Sequence, residues 1–291
     1  MRLPVTAKDD GGPPQSVSPQ SWANGGGASG GGGRPSAAGS AGITEEAIPD
    51  PTPAPDPATM MAVTMARLLH DGETVFHGVA SPLPMVAALL AKRLHAPELV
   101  YLSIAGGVDA RPERLPASTV DPALLWGARA LVTLTDLFDL SARGRLDVAF
   151  LSGVQIDGAG RINMSVIGDP LRPKVRLPGG AGSAALMPTA RRVILWRTKH
   201  DPRVFVERLD FVTAAGNVAQ VVTPLCLFAR HEGRLTVASI HPGISPAAVR
   251  AATGFPVEVG PHTPITPLPS DQELAALAAI DPSRIRESEF A

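Results

Sequence analysis

The chain has few of the residues that mark several common protein classes. It has one cysteine, Cys226, in 291 residues, so it can form no internal disulfide and has no cysteine cluster for zinc or iron–sulfur. Aromatic residues make up 4% and the net charge is −1, which argues against nucleic-acid and membrane partners. No apolar run approaches the ~18–20 residues of a membrane-spanning helix. We therefore expect a protein of the reducing cytoplasm.

Residues 1–59 differ in composition from the rest of the chain. They contain 11 glycines and 10 prolines, and the glycine runs 25–27 and 30–33 give a backbone freedom that packing could not offset. We predict a disordered Gly/Pro-rich extension over 1–59 and one folded domain over 60–291. The extension has three interpretations: a partner-binding tether, a dispensable linker, or a segment upstream of a true start near Met60 or Met61.

The folded part alternates between strand and helix patterns. Residues 74–78 and 99–103 are short apolar strands, and Pro82 and Pro84 open a helix between them. A strand–helix–strand unit of about 30 residues implies parallel pairing with a right-handed crossover. Further strands are predicted at 148–151, 193–196, 204–206, 225–229 and 235–239, and further helices at 62–70, 245–254 and 274–279. The pattern predicts an α/β fold with a mainly parallel sheet and an antiparallel margin.

Two glycine-bearing loops are candidate binding sites. Residues 103–107 follow a predicted strand, and ligands of open α/β sheets bind beyond the carboxyl ends of strands. Residues 178–183 (Pro-Gly-Gly-Ala-Gly-Ser) form a loop whose backbone N–H groups could make an anion-binding nest or an oxyanion hole. Both loops could equally be ordinary turns. The second loop matches neither the Walker pattern nor the dinucleotide fingerprint.

The cysteine and the histidines do not indicate a reactive site. Cys226 lies in a predicted apolar strand, where a thiol is inert, so we assign it to the core. The seven histidines show no metal-binding spacing, and we expect no metal.

Seven stretches, in order, resemble the β subunit of family I coenzyme A transferases of the glutaconate CoA-transferase type. The resemblance covers about residues 61–289. The stretches are Gly-Val-Ala-Ser-Pro at 78–82, Ala-Lys-Arg-Leu-His-Ala-Pro-Glu-Leu-Val at 91–100, Arg-Ile-Asn-Met-Ser at 161–165, Arg-Leu-Pro-Gly-Gly-Ala-Gly at 176–182, Phe-Val-Glu-Arg-Leu-Asp-Phe-Val-Thr at 205–213, His-Pro-Gly-Ile at 241–244 and Thr-Gly-Phe at 253–255.

The resemblance implies a three-layer α/β/α fold and an α-subunit partner, in a heterodimer or heterotetramer with the active site between the subunits. It implies a CoA thioester as substrate and no tightly bound cofactor. A glutamate of the β subunit attacks the acyl-CoA in such transferases. Contacts to the acyl group, CoA or the oxyanion would come from Ser103, Ala105, Gly106, Gly107, Asn163, Gly179, Gly180 and Gly182, and contacts to CoA phosphates from Arg172 or Lys174.

The sequence departs from the family pattern at the catalytic position. Ile104 stands where the transferases have their glutamate, and an isoleucine can be neither nucleophile nor base. The nearest acids downstream are Asp109 and Glu113. A branch of the family that resembles steroid ring-opening CoA hydrolases also lacks this glutamate and takes its base from the α subunit. Ser81 and Pro82 are closer to that branch.

Several functions therefore remain open. The first is the β subunit of an enzyme that transfers CoA from a carboxylic acid thioester. The second is a subunit of a CoA-thioester ring-opening hydrolase, with its catalytic base on the α subunit. The third is a non-catalytic subunit that binds CoA or stabilises its partner. A sugar-phosphate isomerase, which has a similar fold, is disfavoured by the coverage of the motifs.

Overall fold

The computed structural model describes residues 55–290. The helices of this part are α1 (Pro57–Arg67), α2 (Pro82–Leu94), α3 (Leu134–Ala142), α4 (Ser183–Thr189), α5 (Pro246–Ala252) and α6 (Asp271–Ile280). The strands are β1 (Thr74–His77), β2 (Val100–Leu102), β3 (Gly107–Val108), β4 (Ala130–Leu131), β5 (Val148–Leu151), β6 (Gln155–Ile156), β7 (Ile162–Asn163), β8 (Val166–Asp169), β9 (Arg172–Arg176), β10 (Arg192–Trp196), β11 (Val218–Val222), β12 (Cys226–His231) and β13 (Arg234–Ile240). Short 3₁₀ turns cover Pro122–Leu125 and Ile285–Glu287.

One nine-stranded sheet runs through the domain in the order β13-β12-β11-β10-β5-β1-β2-β3-β4. The strands from β11 to β2 pair in parallel, and the antiparallel strands lie at the two margins. Two hairpins, β6-β7 and β8-β9, stand outside this sheet. The predicted mainly parallel sheet with an antiparallel margin is confirmed.

Helices cover both faces of the sheet, which gives the predicted three layers. On β1, Val75 packs in one hydrophobic cluster with α1, α2 and α6, whereas its neighbour Phe76 packs in another with α3, α4 and α5. On β5, Phe150 and Leu151 divide between the faces in the same way. Because both faces are buried, the central strands are continuously apolar rather than alternating.

The start of the domain differs from the prediction by a few residues. Helix α1 begins at Pro57, so residues 57–59 lie in a helix and not in an extended tail. The carboxylate of Asp56 accepts a hydrogen bond from the backbone N–H of Thr59 at 2.9 Å, and proline suits the first helical position because its missing N–H is not needed there. The predicted disorder of residues 1–54 lies outside the described residues.

Local signals gave the other differences too. The predicted strand at 204–206 is a turn with a single bridge from Phe205 to Ile156, because Asp201 caps the backbone N–H groups of Arg203 and Val204. Helix α3 was missed, although its start carries a capping box of Thr133 and Asp136 that could have revealed it. The predicted capping box of Ser270 and Glu273 at α6 is confirmed.

Candidate active site

The parallel strands end at one edge of the sheet and open a crevice there. The residues that follow β10, β5, β1 and β2 are Arg197, Ser152, Gly78 and Ser103. The chain leaves β1 through α2 on one face and leaves β5 through α4 on the other. The crossovers therefore part between β1 and β5, which is the switch point where open α/β sheets bind ligands.

A buried chain of polar side chains fixes the loop after β1. The ring of His77 lies 2.7 Å from the hydroxyl of Tyr101 through Nε2, and 2.8 Å from the hydroxyl of Ser81 through Nδ1. Nδ1 also lies 3.2 Å from the carbonyl of Gly78, which can only accept, so Nδ1 carries the proton and Tyr101 donates to Nε2. Burial lowers the pKa of His77 to about 4. The imidazole is therefore neutral at physiological pH and holds the loop in place.

The turn at 103–107 connects β2 to the antiparallel β3. The hydroxyl of buried Ser103 accepts a hydrogen bond from the N–H of Gly107 at 3.0 Å, and the N–H of Gly106 donates to the carbonyl of Ser103. A Cβ on Gly106 would lie 2.6 Å from the carbonyl oxygen of Val132, and one on Gly107 would lie 2.1 Å from that of Leu124. Both glycines are therefore required by close backbone packing.

The acids near the turn are engaged or exposed. Half-buried Ile104 packs against the core cluster that contains α3 and α4. Buried Asp109 lies 3.0 Å from the ammonium of Lys92 and accepts a hydrogen bond from the N–H of Tyr101 at 3.0 Å. Glu113 is exposed. Because Asp109 holds β2 to α2 through these contacts, it does not stand in for the missing glutamate.

Asn163 organises a loop with a fully buried side chain. Its amide nitrogen donates to Gln155 Oε1 at 2.7 Å and to the carbonyl of Val166 at 2.6 Å, while its amide oxygen accepts from the N–H of Ser165 at 2.9 Å. The carbonyl of Met164, inside this loop, accepts a hydrogen bond from the N–H of Gly179. Asn163 therefore positions the glycine-rich loop, and its side chain has no surface left for a ligand.

The glycine-rich loop lies at the start of α4 and supplies free donors. Gly180 packs on Thr213 and Gly182 on Phe138, with added Cβ atoms meeting them at 2.6 and 2.9 Å. Ala181 has φ 43°, a left-handed conformation that strains a non-glycine residue. Within residues 55–290, the N–H groups of 180–182 have no hydrogen-bond acceptor. This arrangement suits an anion-binding nest.

The basic residues before that loop lie on the exposed hairpin β8-β9. Arg172, Lys174 and Arg176 are all exposed, and the hairpin tip presents Leu171. The hairpin is held to the domain by Asp210, whose carboxylate accepts from the N–H of Gly168 at 3.0 Å. The two sequence-predicted loops thus contact different parts of the fold, since the 103–107 turn packs on Leu124 and Val132.

Two charged residues of the crevice carried no signal in the sequence. Arg197 follows β10 directly, and Glu289 lies near the C-terminus with its carboxylate 3.4 Å from the N–H of Leu83 in the first turn of α2. Burial raises the pKa of Glu289 to about 7, against the opposing effects of the Leu83 N–H and the Arg197 charge. Only the tertiary structure brings these residues together, because they are far apart in sequence.

Neither cysteine chemistry nor a metal cluster accounts for the site. Burial raises the pKa of Cys226 to about 12, so the predicted core role of this thiol is confirmed. Between residues 55 and 290, no three His, Cys, Asp or Glu side chains converge so that they could hold a metal ion. In the same part of the chain, no helix has the length and apolar character to cross a bilayer.

Comparison with known families identifies the fold. Residues 58–252 match the family described as Coenzyme A transferase. The chain belongs to the coenzyme A transferase family. The resemblance that the sequence motifs indicated is confirmed.

Curated relatives in this family have more than one activity. The β subunit of the 3-oxoadipate CoA-transferase of Pseudomonas knackmussii is 33% identical over 241 residues, 76% of this chain and 92% of that protein. The cholesterol ring-cleaving hydrolase IpdB subunit of Mycobacterium tuberculosis is 32% identical over 171 residues, 53% of this chain and 68% of that protein. Among solved structures, the decarboxylase AibA/AibB matches with a TM-score of 0.76 and 33% identity, over 81% of this chain and 99% of that one.

Proposed function

We propose that this chain is the β subunit of a two-subunit enzyme that acts on a carboxylic acid CoA thioester in the cytoplasm. Membership of the coenzyme A transferase family, with a relative named as the β subunit of a CoA-transferase, carries the proposal. The partner is an α-type chain of the same family, in a heterodimer or heterotetramer. Coenzyme A enters as part of the substrate, and the enzyme needs no tightly bound cofactor.

The leading reaction is CoA transfer to an acid acceptor. Transfer through a covalent intermediate needs a carboxylate nucleophile, and Ile104 cannot supply one. The nucleophile would therefore come from the α chain or from another acid in the crevice.

Hydrolysis with the base on the α subunit is the second candidate. The similarity to the IpdB hydrolase subunit and the isoleucine at position 104 favour it. In this reaction the β subunit contributes binding and oxyanion stabilisation, for which a carboxylate at position 104 is not needed.

The site residues divide by role in either reaction. The free N–H groups of 180–182 would hold the oxyanion or a CoA phosphate, with Gly179 fixed by the loop of Asn163. The turn of Ser103, Ala105, Gly106 and Gly107 would line the acyl pocket. Exposed Arg172 and Lys174 would meet CoA phosphates, as their position on the hairpin before the loop allows.

The experiment is mass spectrometry of the complex with its α-type chain after addition of an acyl-CoA in ¹⁸O-water. Label in the product acid without a CoA adduct on either chain would establish hydrolysis. A covalent enzyme–CoA thioester would establish transfer, and the modified residue would be the nucleophile. If CoA binds but no acyl-CoA is consumed, a third function, that of a non-catalytic CoA-binding or partner-stabilising subunit, replaces both.

A further inference from the structure

The crevice at the switch point contains a cation whose hydrogen-bond donors are not all used. Arg197 follows β10 at the carboxyl edge, and its Nε is buried without an acceptor among residues 55–290. Next to it, the hydroxyl of Ser152, which follows β5, donates to the carbonyl of Trp196 at 2.8 Å. Burial lowers the pKa of Arg197, so the guanidinium is partly removed from water. A guanidinium in this position favours an anionic ligand.

The acid nearest to this cation is an incomplete counter-ion. Glu289 interacts with Arg197 through its charge, but the two side chains are not joined by a salt bridge. The other charged groups around them are engaged or more distant. From the loop after β10 there is Asp201, whose carboxylate binds Arg203; from the C-terminal segment, Arg286 binds Asp281 and Glu287 binds Arg284.

The element packed against Glu289 brings no competing charge. The first turn of α2 consists of Pro82, Leu83 and Pro84, and its contact with the carboxylate is the weak hydrogen bond from the Leu83 N–H. Glu289 is therefore the group whose ionisation decides how well Arg197 is neutralised.

We propose that Arg197 binds a carboxylate at the far end of the substrate's acyl group, and that this carboxylate displaces Glu289. The inference rests on the proposed function, because it requires an acyl-CoA in the crevice. The guanidinium fork matches a carboxylate in geometry and charge. From β10 to β2 there are three strand spacings, about 14 Å in total. A thioester at the 103–107 turn and a terminal carboxylate reached by the long Arg197 side chain fit an acyl chain of a few carbons.

The arrangement gives substrate binding a pH dependence with a definite sign. As the pH falls through about 7, Glu289 takes up a proton and stops competing for Arg197. The KM for a carboxylate-bearing acyl-CoA is then lower at pH 6 than at pH 8. An acyl-CoA without that carboxylate has no such trend.

The test compares glutaryl-CoA with pentanoyl-CoA, which has the same chain length without the carboxylate, in the complex with the α-type chain. We expect R197M to lower kcat/KM for glutaryl-CoA at least tenfold, as loss of a charge-assisted pair implies, and for pentanoyl-CoA by less than threefold. E289Q should lower the KM for glutaryl-CoA and remove its rise between pH 6 and 8. R197K, which keeps the charge but not the fork, should give an intermediate loss and guards against misfolding of R197M.

E287Q is the matched control, because Glu287 lies on the same segment and pairs with Arg284 instead. It should leave both substrates and the pH trend unchanged. Equal losses for the two substrates in R197M and R197K would overturn the inference alone. If the wild-type complex consumes neither substrate nor any other acyl-CoA, the proposed function falls, and the inference falls with it.

Discussion

The hydroxyl of Tyr101 donates a hydrogen bond to Nε2 of His77 over 2.7 Å, and both side chains are buried where β1 and β2 reach the carboxyl edge. The two rings also stack, with centroids 5.5 Å apart. His77 in turn holds Ser81 at the start of α2. The shape of the crevice therefore depends on a neutral histidine and an intact phenol.

The first prediction concerns ionisation of Tyr101. Burial raises the pKa of its phenol far above the ordinary value, and it is the only tyrosine of the chain. Absorbance at 295 nm should therefore show no tyrosinate in the folded protein until alkaline unfolding begins. In urea the same group should titrate near about 10. A native midpoint near 10 would show that the phenol is exposed to water.

The second prediction concerns stability in mild acid. Burial lowers the pKa values of His77, His200 and His241 to about 4, so the unfolded chain binds protons that the folded chain refuses as the pH falls below 6.5. Each histidine removes about 1.4 kcal/mol of unfolding free energy per pH unit in this range. Glu289, with its raised pKa of about 7, acts in the opposite direction.

The net loss from these four groups is then about 3 kcal/mol per pH unit between pH 6 and 4.5, measured by urea denaturation. His200→Gln should make the dependence shallower, because glutamine cannot take up the proton. Replacement of exposed His231 by glutamine is the control and should not change it. A stability that is flat from pH 7 to 4.5 would contradict the burial of these imidazoles.

The third prediction concerns the glycines of the turn after β2. Gly107→Ala would place a Cβ 2.1 Å from a backbone oxygen that cannot move alone, so we expect a loss of more than about 2 kcal/mol. Gly260→Ala is the matched control, because no heavy atom lies within 4 Å of its added Cβ. Thermal denaturation of the two variants should separate them by several degrees. Equal melting temperatures would mean that the turn is not packed as described.

The fourth prediction concerns Asp109. Asp109→Asn removes the buried partner of Lys92 and should cost about 3 kcal/mol of unfolding free energy. Asp139→Asn breaks an exposed pair with Arg143 and should cost less than about 0.5 kcal/mol. Urea titration of both variants measures the difference. A neutral Asp109→Asn variant would reopen this carboxylate as a free catalytic acid.

Local patterns predicted the elements whose signals are short in range. The helix opened by Pro82, the capping box of Ser270 and Glu273, and the hairpin β12-β13 all follow from residues within a few positions of one another. The strand predicted at 204–206 failed because Asp201 caps a turn there, and turn chemistry outweighed the apolar pattern.

The sequence by itself determined the fold class, the family and the absence of a glutamate at position 104, because motif order and residue type need no coordinates. Only the tertiary structure decided which residues share the crevice. It placed Asn163 beneath the glycine-rich loop instead of in the pocket, and brought Arg197 to Glu289. Such contacts join distant parts of the chain through packing of strands and helices, which no local pattern encodes.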